Sequence, residues 1–247
     1  MGGVIHPALL AVSHGTSSPS GQAAVAALVE AVTARLPDVA VQLGHVDVQQ
    51  PDVAASLSSL PDGQPTVIVP LLLSAGYHVR VDLTTQSAGR ADVTIAPALG
   101  PDPRLIDALV ARLGPLNLGP EDAVVLAVAG SSDERANEDC RTIATMLAER
   151  LGRPVEVGFL AAAEPRLDAA VTAARGRRVV VASYLLAPGY FHDLAVRLAG
   201  AAPVTRPLLD DDAPPAALVD LVVSRYRDAR PAGVAPRFGR DGEGRRS

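Results

Sequence analysis

Two stretches of this 247-residue chain carry the same order of signals, and that repetition constrains the fold more than any other feature. In the first, Leu9-Leu-Ala-Val-Ser13 is a short apolar run that ends in the polar, glycine-containing His14-Gly-Thr-Ser-Ser-Pro19, and an alanine-rich periodic segment then extends from about Gln22 to Leu36. That order reads as strand, loop and helix. The run from Val39 to Val48 alternates like a strand and leads to Pro51, whose fixed φ and missing N–H suit the first turn of a helix. Val67-Ile-Val-Pro-Leu-Leu-Leu73 is then a buried strand, closed by Ser74-Ala-Gly-Tyr-His78. In the second stretch Ala123–Val128 is followed by Gly130-Ser-Ser-Asp133 and a helix from about Asn137 to Leu151. Val155–Pro165 matches Val41–Pro51 without a gap, and Val179–Gly189 matches Val67–Gly76 with one added residue.

Strands alternating with helices imply an α/β protein of two tandem repeats, each a parallel, doubly wound sheet flanked by helices, with a cleft between them. Right-handed crossovers gather the strand-to-helix loops at the C-terminal edge of each sheet, where sites are expected. The division reads as residues 1–116, residues 117–229 and a polar, turn-rich tail, 230–247, expected to be disordered. Two Gly-Pro steps between Leu113 and Pro120 mark the linker.

Composition removes several functional classes. A formal charge of −5 argues against a nucleic-acid surface, which needs a basic stripe to release condensed counterions. The single cysteine, Cys140, excludes an internal disulfide and a zinc site of several thiolates, so any metal must be held by imidazole and oxygen. No apolar run approaches the roughly 20 residues that span a bilayer, and the N-terminus lacks a secretory pattern. The expectation is a cytoplasmic protein without a membrane partner.

Of five histidines, His14 and His78 lie in loops that follow strands of the first repeat, and the fold would bring these loops together. Either one alone reads as a solvated or hydrogen-bonding residue. As a pair with open remaining positions they suit divalent Co, Ni, Fe or Zn, held without being enclosed. Asp47, two residues after His45, is expected to share its strand face and to reach the same cleft; on spacing alone it reads equally as an acid that attracts the cation or accepts or relays protons and as a solvated strand-end carboxylate. His45 is an auxiliary ligand candidate, but Phe159 stands opposite it in the second repeat, which favours packing.

These residues resemble the class II tetrapyrrole chelatases, the family of the sirohydrochlorin cobaltochelatases and ferrochelatases. The resemblance rests on Ser-His-Gly-Thr at 13–16, an acid four residues before proline at Asp47 and Pro51, and Pro70-Leu-Leu-Leu-Ser-Ala-Gly-Tyr-His-Val-Arg-Val-Asp82, and it spans nearly the whole chain. It implies a chelatase inserting Fe²⁺, Co²⁺ or Ni²⁺ into sirohydrochlorin, in siroheme or cobalamin synthesis, with no organic cofactor. His14 and His78 are the implied metal residues and Asp47 the implied acid, although the family usually has Glu there. Asp82 matches as a structural acid. Arg80, Ser13 and Ser74 are expected to contact the substrate, with Arg90 a further donor to its carboxylates.

Gly130 stands opposite His14 in the ungapped alignment and Ala161 opposite Asp47, while His192 sits one residue further from its glycine than His78 does. The second repeat is therefore read as a degenerate wall of the cleft, with His192 an auxiliary metal residue, and the whole as a monomer. Two other readings use the same residues. A metal carrier would bind the ion without turnover. A histidine phosphatase would use His14 as nucleophile, but Ser13 replaces the arginine that clamps phosphate.

Overall fold

The structure, a computed structural model, describes residues 6–61, 63–74, 83–174 and 177–231. The apolar runs form strands β1 (Ala8–Ser13), β2 (Val41–His45), β3 (Thr66–Pro70), β4 (Val93–Ile95), β5 (Ala123–Val128), β6 (Val155–Phe159) and β7 (Val179–Tyr184). Between and after them lie helices α1 (Pro19–Arg35), α2 (Val53–Ser58), α3 (Pro103–Leu113), α4 (Glu134–Leu151), α5 (Leu167–Ala173), α6 (Tyr190–Ala199) and α7 (Ala216–Asp228). One sheet has the order β2-β1-β3-β4 and the other β6-β5-β7, with every pairing parallel. A single parallel bridge from Val181 to Val204 extends the second sheet where β4 extends the first. This is the two-sheet α/β architecture expected from the repeats. Strands β1, β3 and β7 are buried at every position, as parallel strands covered by helices on both faces must be.

Helix α1 buries Gly21, Ala24, Val25, Leu28, Val29 and Val32, the stripe that helical periodicity demands. It begins at Pro19 rather than near Gln22, because Ser18 caps it by accepting from the Gly21 N–H and proline fits the first turn. For the same reason α4 starts at Glu134, capped by Asp133, not at Asn137. Strand β2 stops at His45, and Pro51 precedes the α2 cap, Asp52, rather than lying within the helix.

The sheets share one core. Leu9, Ala11, Val67 and Val69 of the first and Val124, Leu126, Val180 and Tyr184 of the second belong to a single buried cluster with α1, α3, α4 and α7. The terminal helices are exchanged: α3 packs on α4 and β7, whereas α7 packs on α1, α3 and β3. Tyr226 of α7 donates a 2.6 Å hydrogen bond to the Pro7 carbonyl, and Arg225 donates to the carbonyls of Ala98 and Leu99. The outer faces have separate clusters, Val53, Leu57 and Leu83 on the first sheet and Leu167, Ala195 and Ala199 on the second. The segment between the repeats is pinned, with Arg153 donating to the Gly119 carbonyl at 2.7 Å and Arg178 to the Leu116 carbonyl at 2.9 Å. Among the described residues no helix is long and apolar enough to cross a membrane.

Candidate functional site

The loops that leave β1 and β2 are bound to each other at the C-terminal edge of the first sheet. The Val46 N–H donates to the Ser13 carbonyl at 2.9 Å and the Asp47 N–H to the His14 carbonyl at 3.0 Å, carrying the strand ladder beyond the last paired residues. The Thr16 N–H donates to Gln49 Oε1 at 2.8 Å. Gly15, at φ +95°, lies so close that a Cβ there would stand 2.0 Å from the Asp47 carbonyl oxygen. With the backbones fixed in this way, the His14 and Asp47 side chains are left exposed on adjoining loops. One Asp47 carboxylate oxygen accepts the Val48 N–H at 2.7 Å. An imidazole and a carboxylate presented to solvent from touching loops can hold a cation with open positions and take up a proton.

Not all of the expected site residues join them. Asp47 does not share a face with His45: β2 ends at His45, so strand alternation no longer governs Asp47, and His45 is buried while Asp47 is exposed. His45 Nδ1 and Ser13 Oγ share a buried hydrogen bond of 2.9 Å, and burial lowers the His45 pKa below its ordinary value. Ser13, expected at the substrate, is only 5% exposed, and its hydroxyl is committed to His45. The Ser74 hydroxyl, also expected at the substrate, meets the Cys140 thiol of α4, whose pKa burial pushes up to about 11. His192 shares a 3.3 Å hydrogen bond with Ser183 through Nδ1, on the outer face of the second sheet, and burial lowers its pKa with Asp193 opposing. Arg90 is held by Asp92 at 2.8 Å and by the Leu57 carbonyl. The Asp92 backbone carbonyl accepts from the N–H of Thr66, at the start of β3, which places the pair at the sheet edge opposite His14. His78, Arg80 and Asp82 lie outside the described residues. Among the described residues no three His, Cys, Asp or Glu side chains gather around a common point.

Gln49 is the positioning residue that sequence reasoning missed. Only the repeat itself could have signalled it, because its counterpart in the register of β6 is the apolar Ala163.

The strand registers also revise the comparison between the repeats. Leu9 pairs with Val41 as Val124 pairs with Val155, and Ala161 donates to the Ala129 carbonyl as Asp47 does to His14. The residue opposite His14 is therefore Ala129, and Gly130 corresponds to Gly15: a Cβ on Gly130 would meet the Ala161 carbonyl oxygen at the same 2.0 Å. Leu9 pairs with Val67 and Val124 with Val180, so the β3 and β7 segments match from Val180 with no added residue. Counting onward through the sequence, Gly189 corresponds to Gly76, Tyr190 to Tyr77 and Phe191 to His78. The loop scaffolds are the same in both halves. Ser131 and Asp133 repeat the contact of Thr16 with Ser18, and Asn137 donates to the Ser131 carbonyl as Gln22 does to that of Thr16.

Two parallel sheets with exchanged helices and matching loops at their C-terminal strand edges define a two-repeat chelatase-like α/β protein. The family model CbiX matches residues 8–115 and 123–203. The chain belongs to that family. Its fold is similar to "SirB from Bacillus subtilis with Fe3+", at 21% identity and a TM-score of 0.75, covering 90% of this chain and 95% of that one. It is similar to the sirohydrochlorin chelatase SirB from Bacillus subtilis subspecies spizizenii in complex with cobalt, at 18% identity and a TM-score of 0.72, with coverage of 90% and 94%. A third similar structure is CbiX, described as the terminal enzyme for biosynthesis of siroheme in denitrifying bacteria, at 21% identity and a TM-score of 0.63, with coverage of 88% and 98%. A search of curated protein sequences returned no match.

Proposed function

We propose that this chain is a sirohydrochlorin chelatase that inserts Fe²⁺ or Co²⁺, the metal being substrate and not resident cofactor. One observation carries the reading: His14 and Asp47 are exposed on two loops tied together by the Asp47 N–H and Gln49, in a chain of the CbiX family. The similar SirB structures with Fe3+ and with cobalt support both the reaction class and the metals. Insertion replaces two pyrrole N–H bonds with metal–nitrogen bonds and releases two protons. In this reading His14, with His78, holds the partly dehydrated ion and Asp47 accepts a departing proton. Arg80 meets a substrate carboxylate. The second sheet supplies the other wall, so one chain suffices and acts as a cytoplasmic monomer, with residues 1–116 and 117–229 the duplicated units.

The test is metallation of sirohydrochlorin followed by its absorption change, with Fe²⁺ and Co²⁺ in separate reactions. Faster insertion than in buffer, abolished by His14→Ala and by His78→Ala and retained by His6→Ala, is expected. Binding of Co²⁺ without any acceleration would replace the chelatase with a metal carrier, and near-normal rates in His14→Ala would remove the site assignment.

A further inference from the structure

We propose that the second repeat's counterpart of the metal loop binds the flat face of the tetrapyrrole, with Tyr190 and Phe191 as an apolar shelf beside the His14 loop. The proposal rests on the chelatase reading and assigns a substrate-positioning role to the half that lacks the metal residues. Three observations carry it. First, Tyr190 and Phe191 are exposed by 68% and 39% and form an edge-to-face pair with centroids 5.6 Å apart. The chain has seven Tyr and Phe and no Trp, so leaving two together in water is a costly use of scarce aromatics. Second, the pair directly follows residues that touch the His14 loop. A Cβ on Gly189 would lie 3.2 Å from Thr16 Oγ1, and one on Gly21 would lie 2.3 Å from the Pro188 carbonyl oxygen. Third, counting along the sequence from the strand register makes Phe191 the counterpart of His78, so a ring that cannot ligate metal replaces the residue proposed to hold the ion.

Large hydrophobics exposed among the described residues are Val48, Tyr190, Phe191 and Val196, and the first three belong to or directly follow strand-end loops. Val48 is next to Asp47. The exposed apolar surface therefore brackets the loops that carry His14 and Asp47. A macrocycle offers a broad π face with carboxylates only at its rim, and aromatic rings bind such a face by offset or edge contact. The occupant is thus the tetrapyrrole itself. His192, one residue further on, is turned to Ser183 and takes no part.

The experiment measures metal-free sirohydrochlorin binding by absorption titration, Co²⁺ binding without tetrapyrrole, and insertion kinetics, for wild type, Tyr190→Ala, Phe191→Ala and the double variant. The double variant is expected to raise the sirohydrochlorin Kd and KM by about tenfold or more, as loss of aromatic stacking does, while kcat at saturation and Co²⁺ affinity stay within about twofold. Phe191→Tyr and Tyr190→Phe should restore wild-type KM. Val196→Ala, on the same helix and 47% exposed, serves as the control and should leave KM unchanged. Wild-type Kd and KM in the double variant overturn the shelf alone. A wild-type chain that neither binds nor metallates sirohydrochlorin removes the chelatase reading and the shelf with it. A fall in Co²⁺ affinity matching the loss of tetrapyrrole binding would mean that the pair only supports the metal loops, and would also overturn the proposal.

Discussion

The contact between Gly15 and Asp47 exists twice in this chain, and the second copy is its internal control. Gly15→Ala introduces a methyl 2.0 Å from the Asp47 carbonyl oxygen at φ +95°; Gly130→Ala introduces one 2.0 Å from the Ala161 oxygen at φ +82°. Holding an L-residue in the left-handed region costs about 1–2 kcal/mol. Relieving the overlap requires the facing carbonyl to move by roughly 1 Å, an overpacking cost of about 1–3 kcal/mol. Each variant should therefore lose about 2–5 kcal/mol, part of the roughly 5–15 kcal/mol a domain possesses. Urea unfolding followed by circular dichroism should show nearly equal losses. Insertion rates, corrected for the folded fraction, should then separate the pair. Gly15→Ala moves the carbonyl of Asp47, the proposed proton acceptor, and a displacement of about 1 Å at a reacting group costs on the order of 100-fold in rate. Gly130→Ala distorts a loop with alanines in place of His14 and Asp47 and should keep the wild-type rate per folded molecule. Equal rates in the two variants, whether both normal or both depressed, would refute the coupling of loop geometry to chemistry.

Further outcomes follow from the buried polar contacts. His45→Phe copies the second repeat but strands the buried Ser13 hydroxyl, so it should cost about 1–3 kcal/mol in urea unfolding. Adding Ser13→Val, the Val128 equivalent, should recover much of that loss, and failure to recover any would mean that the hydrogen bond is not the source. Burial depresses the folded pKa of His45, so on acidification the unfolded chain takes up the proton first. The contribution is present above about pH 6.5 and is lost as pH falls through the folded value. Unfolding midpoints between pH 7.5 and 5 should therefore fall less steeply in His45→Phe, and an unchanged slope would exclude His45 as a source of the acid sensitivity. Cys140, buried with its pKa pushed up to about 11, should react with a disulfide reagent only as the chain unfolds; rapid native-state labelling at pH 8 would contradict its burial.

What was legible in the sequence was what short-range pattern encodes. Apolar runs and helical stripes gave the strands and helices, because the side chains that set those periods also form the core. Two helices start three residues before the point that hydrophobic periodicity indicates, because capping by Ser18 and Asp133 overrides it. An ungapped alignment sets Gly130 opposite His14, one residue away from the Ala129 that hydrogen-bond pairing assigns. Ser13 and Ser74 carry no signal separating a substrate hydroxyl from one spent on His45 or Cys140, since both partners are distant in the chain. Helix exchange was also invisible, because α3 and α7 bury the same kind of stripe whichever sheet they cover.

The duplication divides residues by the work they do. Gly15 and Gly130, Ser18 and Asp133, and Gln22 and Asn137 occupy equivalent places and make equivalent loop contacts, so each loop needs them to close. His14, Asp47 and Gln49 correspond to Ala129, Ala161 and Ala163, and the corresponding loop of the second repeat retains its backbone bonds without them. The fold does not require these three side chains. Their presence in one copy fits the proposed metal and proton roles of His14 and Asp47, and Gln49 belongs with the other two because it adds a second tie to a loop whose backbone is already held. The same logic applies to the counterpart of the metal loop. The position that corresponds to the proposed ligand His78 holds Phe191, 39% exposed beside Tyr190 at 68%, directly after the Pro188–Gly189 step that lies against Gly21 and Thr16. Under the proposed shelf, an aromatic pair there marks a second repeat specialised for contact with the tetrapyrrole and not only a degenerate copy of the first.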